Sequence, residues 1–417
     1  MKKRFLAVSV SLMLALGLTG CGQGAKDSGQ GGNDSTQATT DQAQTEAAGS
    51  QEQTEKAELN GAPLKIVYCG TSLSQENGDR AKQVLEIAAK ECNAAGGVNG
   101  GEVVIELIDG GNDQQAYIDA VLKALEVEGV SAVIGTFYSQ YALACADYVN
   151  EAQIPVFNVA TNFEMANASD YYFTNRCVDT AFSNTMAQIA IDNGVKNPVT
   201  LFYNTSNGYN DSAFMKAYME DKGFSVAEEI AFDNTTTTDY TSIVMQAMNV
   251  ADSDGILLHA TANTDGQSII ALLHQYGYAH PIISNSNLFS DSFVKNVGVD
   301  ACAGMIGFAE YTTTQENEAN KAFQELMFNN SSFSYDTVSW IDASFYDDFS
   351  LIVEAARLAG GNDKDSILDG LTKIKGYDGI MTSYSYHEDH SYADYIYLAV
   401  VQEDGTIEVS DAVEVTH

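Results

Sequence analysis

Basic residues are scarce in this chain: 20 Lys and Arg stand against 57 Asp and Glu over 417 residues, a formal net charge of −37. So acidic a chain repels phosphate backbones and anionic lipid, which excludes a basic nucleic-acid-binding surface. The G-x-S-x-G, P-loop, G-x-G-x-x-G and H-E-x-x-H motifs of common hydrolytic, nucleotide-binding and zinc chemistry are also missing. Beyond the N-terminal leader no apolar run approaches the roughly 18 residues of a membrane-span candidate. No two cysteines form a C-x-x-C pair. After Cys21 five remain, Cys69, Cys92, Cys145, Cys177 and Cys302, an odd set that cannot pair fully within one chain. Cys92 and Cys145 fall among Ala and Leu on helical patterns, where a thiol serves as a small hydrophobe. His387-Glu388-Asp389-His390 is the one metal-like cluster, and in an expected hairpin it reads as a solvated turn. No metal or cofactor is implied, and an enzyme is not the expected function.

The N-terminus carries an address. Lys2, Lys3 and Arg4 precede an apolar stretch from Phe5 to Leu18, about 14 residues, shorter than the about 20 a spanning helix needs. Leu18-Thr19-Gly20-Cys21 follows. This three-part build is that of a secretory signal peptide, and its ending resembles the bacterial lipobox, in which the cysteine is diacylated and becomes the first mature residue. Cys21 is therefore the expected lipidation site, and acyl chains anchor a domain without a transmembrane helix. The expected location is the extracytoplasmic face of a bacterial cell membrane. Loss of the three basic residues takes the formal charge from −37 to about −40. Residues 22–60 are rich in Gly, Ser, Thr, Gln, Ala, Asp and Glu, with Leu59 their only large aliphatic. Such a segment cannot offset its ordering entropy and reads as a disordered tether.

Strand and helix patterns then alternate. Leu64–Cys69, Val103–Ile108, Ala132–Gly135 and Ile154–Asn158 are short apolar runs of strand length. Between them lie helical patterns, the first with Ala81, Val84, Leu85, Ala88 and Cys92 on one face and a stop at Gly96-Gly97. The alternation restarts after Cys177, with strands at Val199–Tyr203, Ser225–Ile230, Gly255–His259, Pro281–Ser284 and Gly304–Ala309. Two successive β/α series predict an α/β fold of two Rossmann-like, doubly wound parallel-sheet lobes. Ligand sites of such sheets lie at the carboxyl ends of their strands. Three further helical patterns, beginning at Asn317, Ala343 and Asp363, precede short strands near 384, 395–401 and 406–409.

Several residue runs have a family likeness. Asn93-Ala94-Ala95-Gly96-Gly97-Val98-Asn99-Gly100, Ala132–Gly135 followed by Ser139, and Ile154-Pro155 leading to Ala160-Thr161-Asn162 resemble the branched-chain-amino-acid-binding family of ABC-importer receptors. Gly304-Met305-Ile306-Gly307 extends the likeness, which covers roughly residues 63–405. The resemblance implies a type I periplasmic binding protein fold with a three-crossing hinge. Its expected divisions are a leader 1–21, a tether 22–60, lobe I from 61–178 and 310–378, and lobe II from 179–309 and 379–417. It implies a monomer that captures an amino-acid-like small molecule in the interlobe cleft and passes it to ABC permease subunits. A ligand-sensing domain reporting to a separate receptor, or a binder of another amide or organic acid, is the alternative.

The resemblance also assigns roles. Ser139 matches a serine that donates to the ligand carboxylate, Ala160 and Thr161 a pair that contacts both ends of the amino acid, and Asp265 the acid that holds the ammonium. Tyr209 matches a closing tyrosine of lobe II. Phe137, Tyr138 and Phe163 flank these motifs as candidate walls or core. Asn77 and Ala262 stand where aromatic residues are common in the family, which predicts a roomier or more polar pocket than one shaped for leucine. Taken alone, Ser139, Thr161 and Asp265 are equally good helix caps.

Overall fold

A computed structural model describes residues 59–417 apart from Ala262 and Glu316. The leader, the tether up to residue 58, Cys21 and Ala262 lie outside the described residues. None of the described helices is long and apolar enough to cross a membrane.

The central apolar runs, such as Leu64–Tyr68, Ala132–Ile134, Val199–Tyr203 and Ile256–His259, form strands because they are buried on both faces, as central parallel strands must be. The first sheet contains β1 (Leu64–Tyr68), β2 (Val103–Leu107), β3 (Ala132–Ile134), β4 (Val156–Phe157) and β5 (Tyr172–Phe173), in the order β2-β1-β3-β4-β5. All its pairings are parallel, with Ile66 beside Ile105 on one side and Ala132 on the other. The second sheet repeats that order in β6 (Val199–Tyr203), β7 (Glu228–Phe232), β8 (Ile256–His259), β9 (Ile282–Ser284) and β10 (Ile306–Ala309), which run β7-β6-β8-β9-β10. Helices between consecutive strands supply the crossovers, so both lobes are doubly wound and parallel as expected.

The tail departs from a purely parallel plan. After the small antiparallel pair β11 (Tyr377–Asp378) and β12 (Ser383–Tyr384), the strands β13 (Tyr395–Val401) and β14 (Ile407–Glu414) form a hairpin. It adds to the second sheet with β13 antiparallel to β10. Helix Trp340–Ala359 packs back on helix Glu76–Ala94 of the first lobe. Tyr384 and Tyr392 are fully buried, Tyr392 stacks on Phe157, and Thr174 bridges Ser391, so the segment before β13 packs on the first lobe's last two strands. Beyond β14 it returns, with His417 stacked on His387 at 3.5 Å between ring centroids and Thr416 N–H donating to Thr185 Oγ1 at 3.3 Å. The His-Glu-Asp-His cluster is thus part of a turn that receives this strap. No group of three or more metal-ligating side chains occurs among the described residues.

One apolar core runs through both lobes, including Phe157 and Phe173 of the first and Leu257, Ile283 and Phe308 of the second. Cys69, Cys145, Cys177 and Cys302 are buried, Cys92 is partly so, and all five are free. Two glycines tighten the second lobe's strand–helix turns. A Cβ at Gly208 would fall inside the van der Waals envelope of the Tyr203 carbonyl oxygen, and one at Gly266 inside that of the Thr261 carbonyl oxygen. Gly208→Ala should therefore cost about 1–3 kcal/mol by overpacking, read as a lower denaturation midpoint. Because the same turn carries Tyr203 and Asn207 into the cleft, ligand affinity should fall with it.

Candidate functional site

The carboxyl ends of the strands in both lobes open on one cavity of about 300 Å³, at the small end for a ligand site. From the first lobe come Phe137, Tyr138, Ser139 and Gln140 after β3 and Thr161 after β4. The second lobe contributes Tyr203 at the end of β6, His259 at the end of β8, and Asn285–Asn287 after β9. Arg176 and Glu310 come from the segments that leave β5 and β10 to cross between lobes. Phe182, Met186, Met215 and Phe308 add apolar wall.

Ser139 opens the short helix Ser139–Leu143, in which the Tyr141 and Ala142 N–H groups donate to the Tyr138 carbonyl and those of Ser139 and Gln140 have no helical carbonyl to bond. Phe137 is wedged edge-on between Phe345, at 5.5 Å, and Trp340, at 6.1 Å. Tyr138 is half exposed at the mouth and leans on Tyr141 at 4.9 Å. Ala160 lies behind this wall, buried, with its N–H donating to the Thr136 carbonyl at 3.1 Å. Phe163 meets Phe214 of the second lobe edge-on at 5.0 Å, outside the cavity lining.

The remaining expected residues sit elsewhere. Asp265 is buried at the start of helix Thr264–Gln275 and outside the cavity lining. Its two carboxylate oxygens take the Thr261 N–H, at 2.8 Å, and the Thr261 hydroxyl. Such closure of a strand–helix turn is the capping role that spacing alone could not separate from ligand binding. Tyr209 is 53% exposed and packs on Phe202, while its neighbour Asn207 lines the cavity. Asn77 is exposed in the first turn of helix Glu76–Ala94 and does not line the cavity.

The charged groups of the cavity are ones that motif reading passed over. Asp179 begins helix Asp179–Asp192, where its backbone N–H donates to the Thr161 carbonyl at 2.7 Å. Burial, and then the nearby negative charge of Asp211, push its carboxyl up to about 7; the Thr161 hydroxyl, His259 and Arg176 offset this only in part. His259 Nδ1 lies 2.7 Å from Asp211 Oδ2, and its Nε2 is 3.4 Å from the Tyr203 hydroxyl. Burial opposes a charge on this imidazole, but Asp211 and Asp179 outweigh it and its pKa is raised. Arg176 and Glu310 form a two-pronged pair at 2.6 and 2.7 Å. Arg176 and His259 are thus matched by Glu310 and Asp211, which leaves Asp179 as the carboxyl in excess. The signal that could have found them is positional, since Arg176, Tyr203, His259, Asn285 and Glu310 all stand at or just past strand carboxyl ends.

Comparison with known proteins bears on this arrangement. The sequence model of the periplasmic binding protein family matches residues 66–406. The chain is similar to the Leu/Ile/Val-binding protein homolog 7 of Brucella suis, 23% identical over 212 residues that make up 48% of this chain and 52% of that protein. It spans about half the length of that relative. Its fold is like that of an ABC transporter substrate-binding protein from Sphaerobacter thermophilus, with a TM-score of 0.73 and 19% identity over 84% of this chain and 98% of that one. It is also like the branched-chain amino acid transporter substrate binding protein LivJ from Streptococcus pneumoniae in complex with isoleucine, with a TM-score of 0.65 and 19% identity over 85% of this chain and 99% of that one. With a family model spanning most of its length and a cleft built at the strand ends of two lobes, the chain belongs to the periplasmic binding protein family and is a binding protein rather than an enzyme.

Proposed function

We propose that this protein is the extracytoplasmic solute-binding component of an ABC importer, anchored through lipid on Cys21, and that it captures an amino acid or a close analogue in the interlobe cavity. The observation that carries this reading is the division of chemistry across the cleft. Neutral donors, Ser139 and the N–H groups beside it, lie on the first lobe, and the excess carboxyl of Asp179 lies on the second. A zwitterion loses water from both charges on entry, and each needs a charge-assisted hydrogen bond in return. Ser139 suits the carboxylate, and Asp179, released from the Thr161 hydroxyl, suits the ammonium. The names of the relatives, with leucine, isoleucine and valine binding among them, support the same ligand class.

Binding to both lobes favours their closed arrangement in proportion to the ligand's differential affinity for it. A receptor of this kind then presents ligand and closed shape together to permease subunits. The test is a thermal-shift screen of the purified protein with amino acids, small amides, organic acids, sugars and metal salts. A ligand at about a hundred times its Kd stabilises the folded state by about 2.7 kcal/mol, so an amino acid should raise the melting temperature clearly. Hits confined to sugars or metal ions would overturn the reading.

A further inference from the structure

The group in the cavity best suited to grip a second ligand carboxylate is already occupied by the chain itself. Arg176 Nε and Nη2 donate to Glu310 Oε2 and Oε1 at 2.6 and 2.7 Å, and Nη1 donates to the Val159 carbonyl at 2.9 Å. The guanidinium also faces the rings of Trp340 and Phe182, at 5.1 and 5.5 Å. Both side chains are largely buried, at 17% and 11% exposure, yet both line the cavity. They join the segment leaving β5 to the segment leaving β10, so the pair ties two strand ends together in the cavity wall.

We propose that Glu310 is a specificity-determining residue: it fills the Arg176 fork as an internal stand-in for a ligand carboxylate, so that the site accepts amino acids with neutral, hydrogen-bond-donating side chains and rejects acidic ones. This rests on the amino-acid reading above and narrows it. An acidic side chain entering the cavity would meet Asp179, Asp211 and Glu310, with the Nε–Nη2 fork of the guanidinium taken by Glu310 and Nη1 donating to the Val159 carbonyl. Displacing Glu310 would only strand a second buried carboxylate, which is costly once its partner is gone. An amide faces the opposite situation. Each carboxylate oxygen has two lone pairs, and the bond to Arg176 uses one of them. The Ser286 hydroxyl donates to Oε1 at 3.5 Å, so the second lone pair of Oε2 is the acceptor offered to a ligand N–H or O–H, beside the polar groups of Asn285 and Asn287.

Glutamine and glutamate differ by little but this charge, and they make the test. Calorimetry on the wild-type protein near pH 8 should show glutamine binding at least about 100-fold tighter than glutamate, a difference of about 2.7 kcal/mol. Glu310→Ala empties the fork and should shift the glutamate-to-glutamine affinity ratio at least tenfold toward glutamate. The double variant R176M/E310A should lose that gain, because the receptor itself is gone. Wild-type affinity for glutamate equal to that for glutamine would overturn the inference while leaving the amino-acid reading in place, and this arm needs no variant to fold. An unchanged ratio in a Glu310→Ala protein with a cooperative melt would overturn it as well. Failure of every amino acid to bind would remove the amino-acid reading and this inference together.

Discussion

Asp179→Asn should lower the affinity for an aminated ligand by about 30- to 1000-fold, and at the same time raise the melting temperature of the ligand-free protein near pH 8. The affinity loss follows from removing one partner of a desolvated charge pair, worth about 2–4 kcal/mol. The gain in stability follows from the direction of the carboxyl's shift. Its pKa in the folded protein, about 7, lies well above the ordinary carboxylate range, because burial and Asp211 both disfavour its charge. A carboxyl raised in this way supports the fold fully below its unfolded pKa, and that support is lost as pH rises through about 7. Above that pH the empty cavity holds a charge it solvates poorly, and an amide removes the burden. Sites that bind charged ligands commonly carry such a stability cost.

Ammonium binding reverses the balance, since the ligand supplies the missing counter-charge and releases the proton. Wild-type affinity should hence be highest above about pH 7 and fall by about tenfold per pH unit below it. Asp179→Asn should flatten that profile. Calorimetry across this range, with melting curves of both ligand-free proteins, checks every part. Unchanged affinity in the variant would eliminate Asp179 as the ammonium partner, and a wild-type profile without slope would eliminate the coupled proton.

Arg80→Met should be among the most destabilising single changes in the first lobe, at about 3–5 kcal/mol, because it leaves a buried charge unpaired. Arg80 Nη1 lies 2.6 Å from Asp342 Oδ2, with the Asp342 side chain at 0% exposure. The guanidinium carbon lies 3.7 Å from the centroid of the Tyr335 ring, and Asp342 completes a reciprocal cap with Ser339 at the start of helix Trp340–Ala359. One ion pair thus fixes where that helix begins relative to helix Glu76–Ala94. Phe345 of the same helix packs on Tyr68 and on the cavity residue Phe137.

Burial already raises the Asp342 carboxyl despite Arg80 and the Ser339 bonds, and losing the guanidinium would raise it further. The sign is that of Asp179. The deficit should be larger near pH 8 than near pH 5, because a carboxyl whose pKa is raised takes up a proton more readily as pH falls. Urea denaturation of wild type and variant at the two pH values measures both terms. A loss under about 1 kcal/mol at both would mean that Asp342 is held neutral without its partner.

The sequence by itself determined most of the strands and helices, enough to set the two-lobed α/β class. The apolar runs at Leu64–Tyr68 and Val199–Tyr203 declare themselves because burial on both faces leaves little choice of residue, and Tyr395–Val401 does so by its length of seven residues. Two-residue strands such as β4 and β5 carry too little pattern to bound, and the helix beginning at Ser206 starts in a polar stretch that has no apolar face to reveal it. Local motifs also marked Phe137, Tyr138, Ser139 and Thr161, because each lies within a few residues of a readable strand.

What only the tertiary structure decided is which charges meet. Arg176 and Glu310 are 134 positions apart, and Asp211 and His259 are 48 apart; nothing local in either segment names the other. Asp265 shows the converse, a residue in a plausible position whose carboxylate is consumed four residues away by Thr261. Hydrophobic periodicity is a property of a segment and is legible there. Electrostatic pairing in a cleft is a property of where two lobes bring their strand ends together, and it exists only once they have folded.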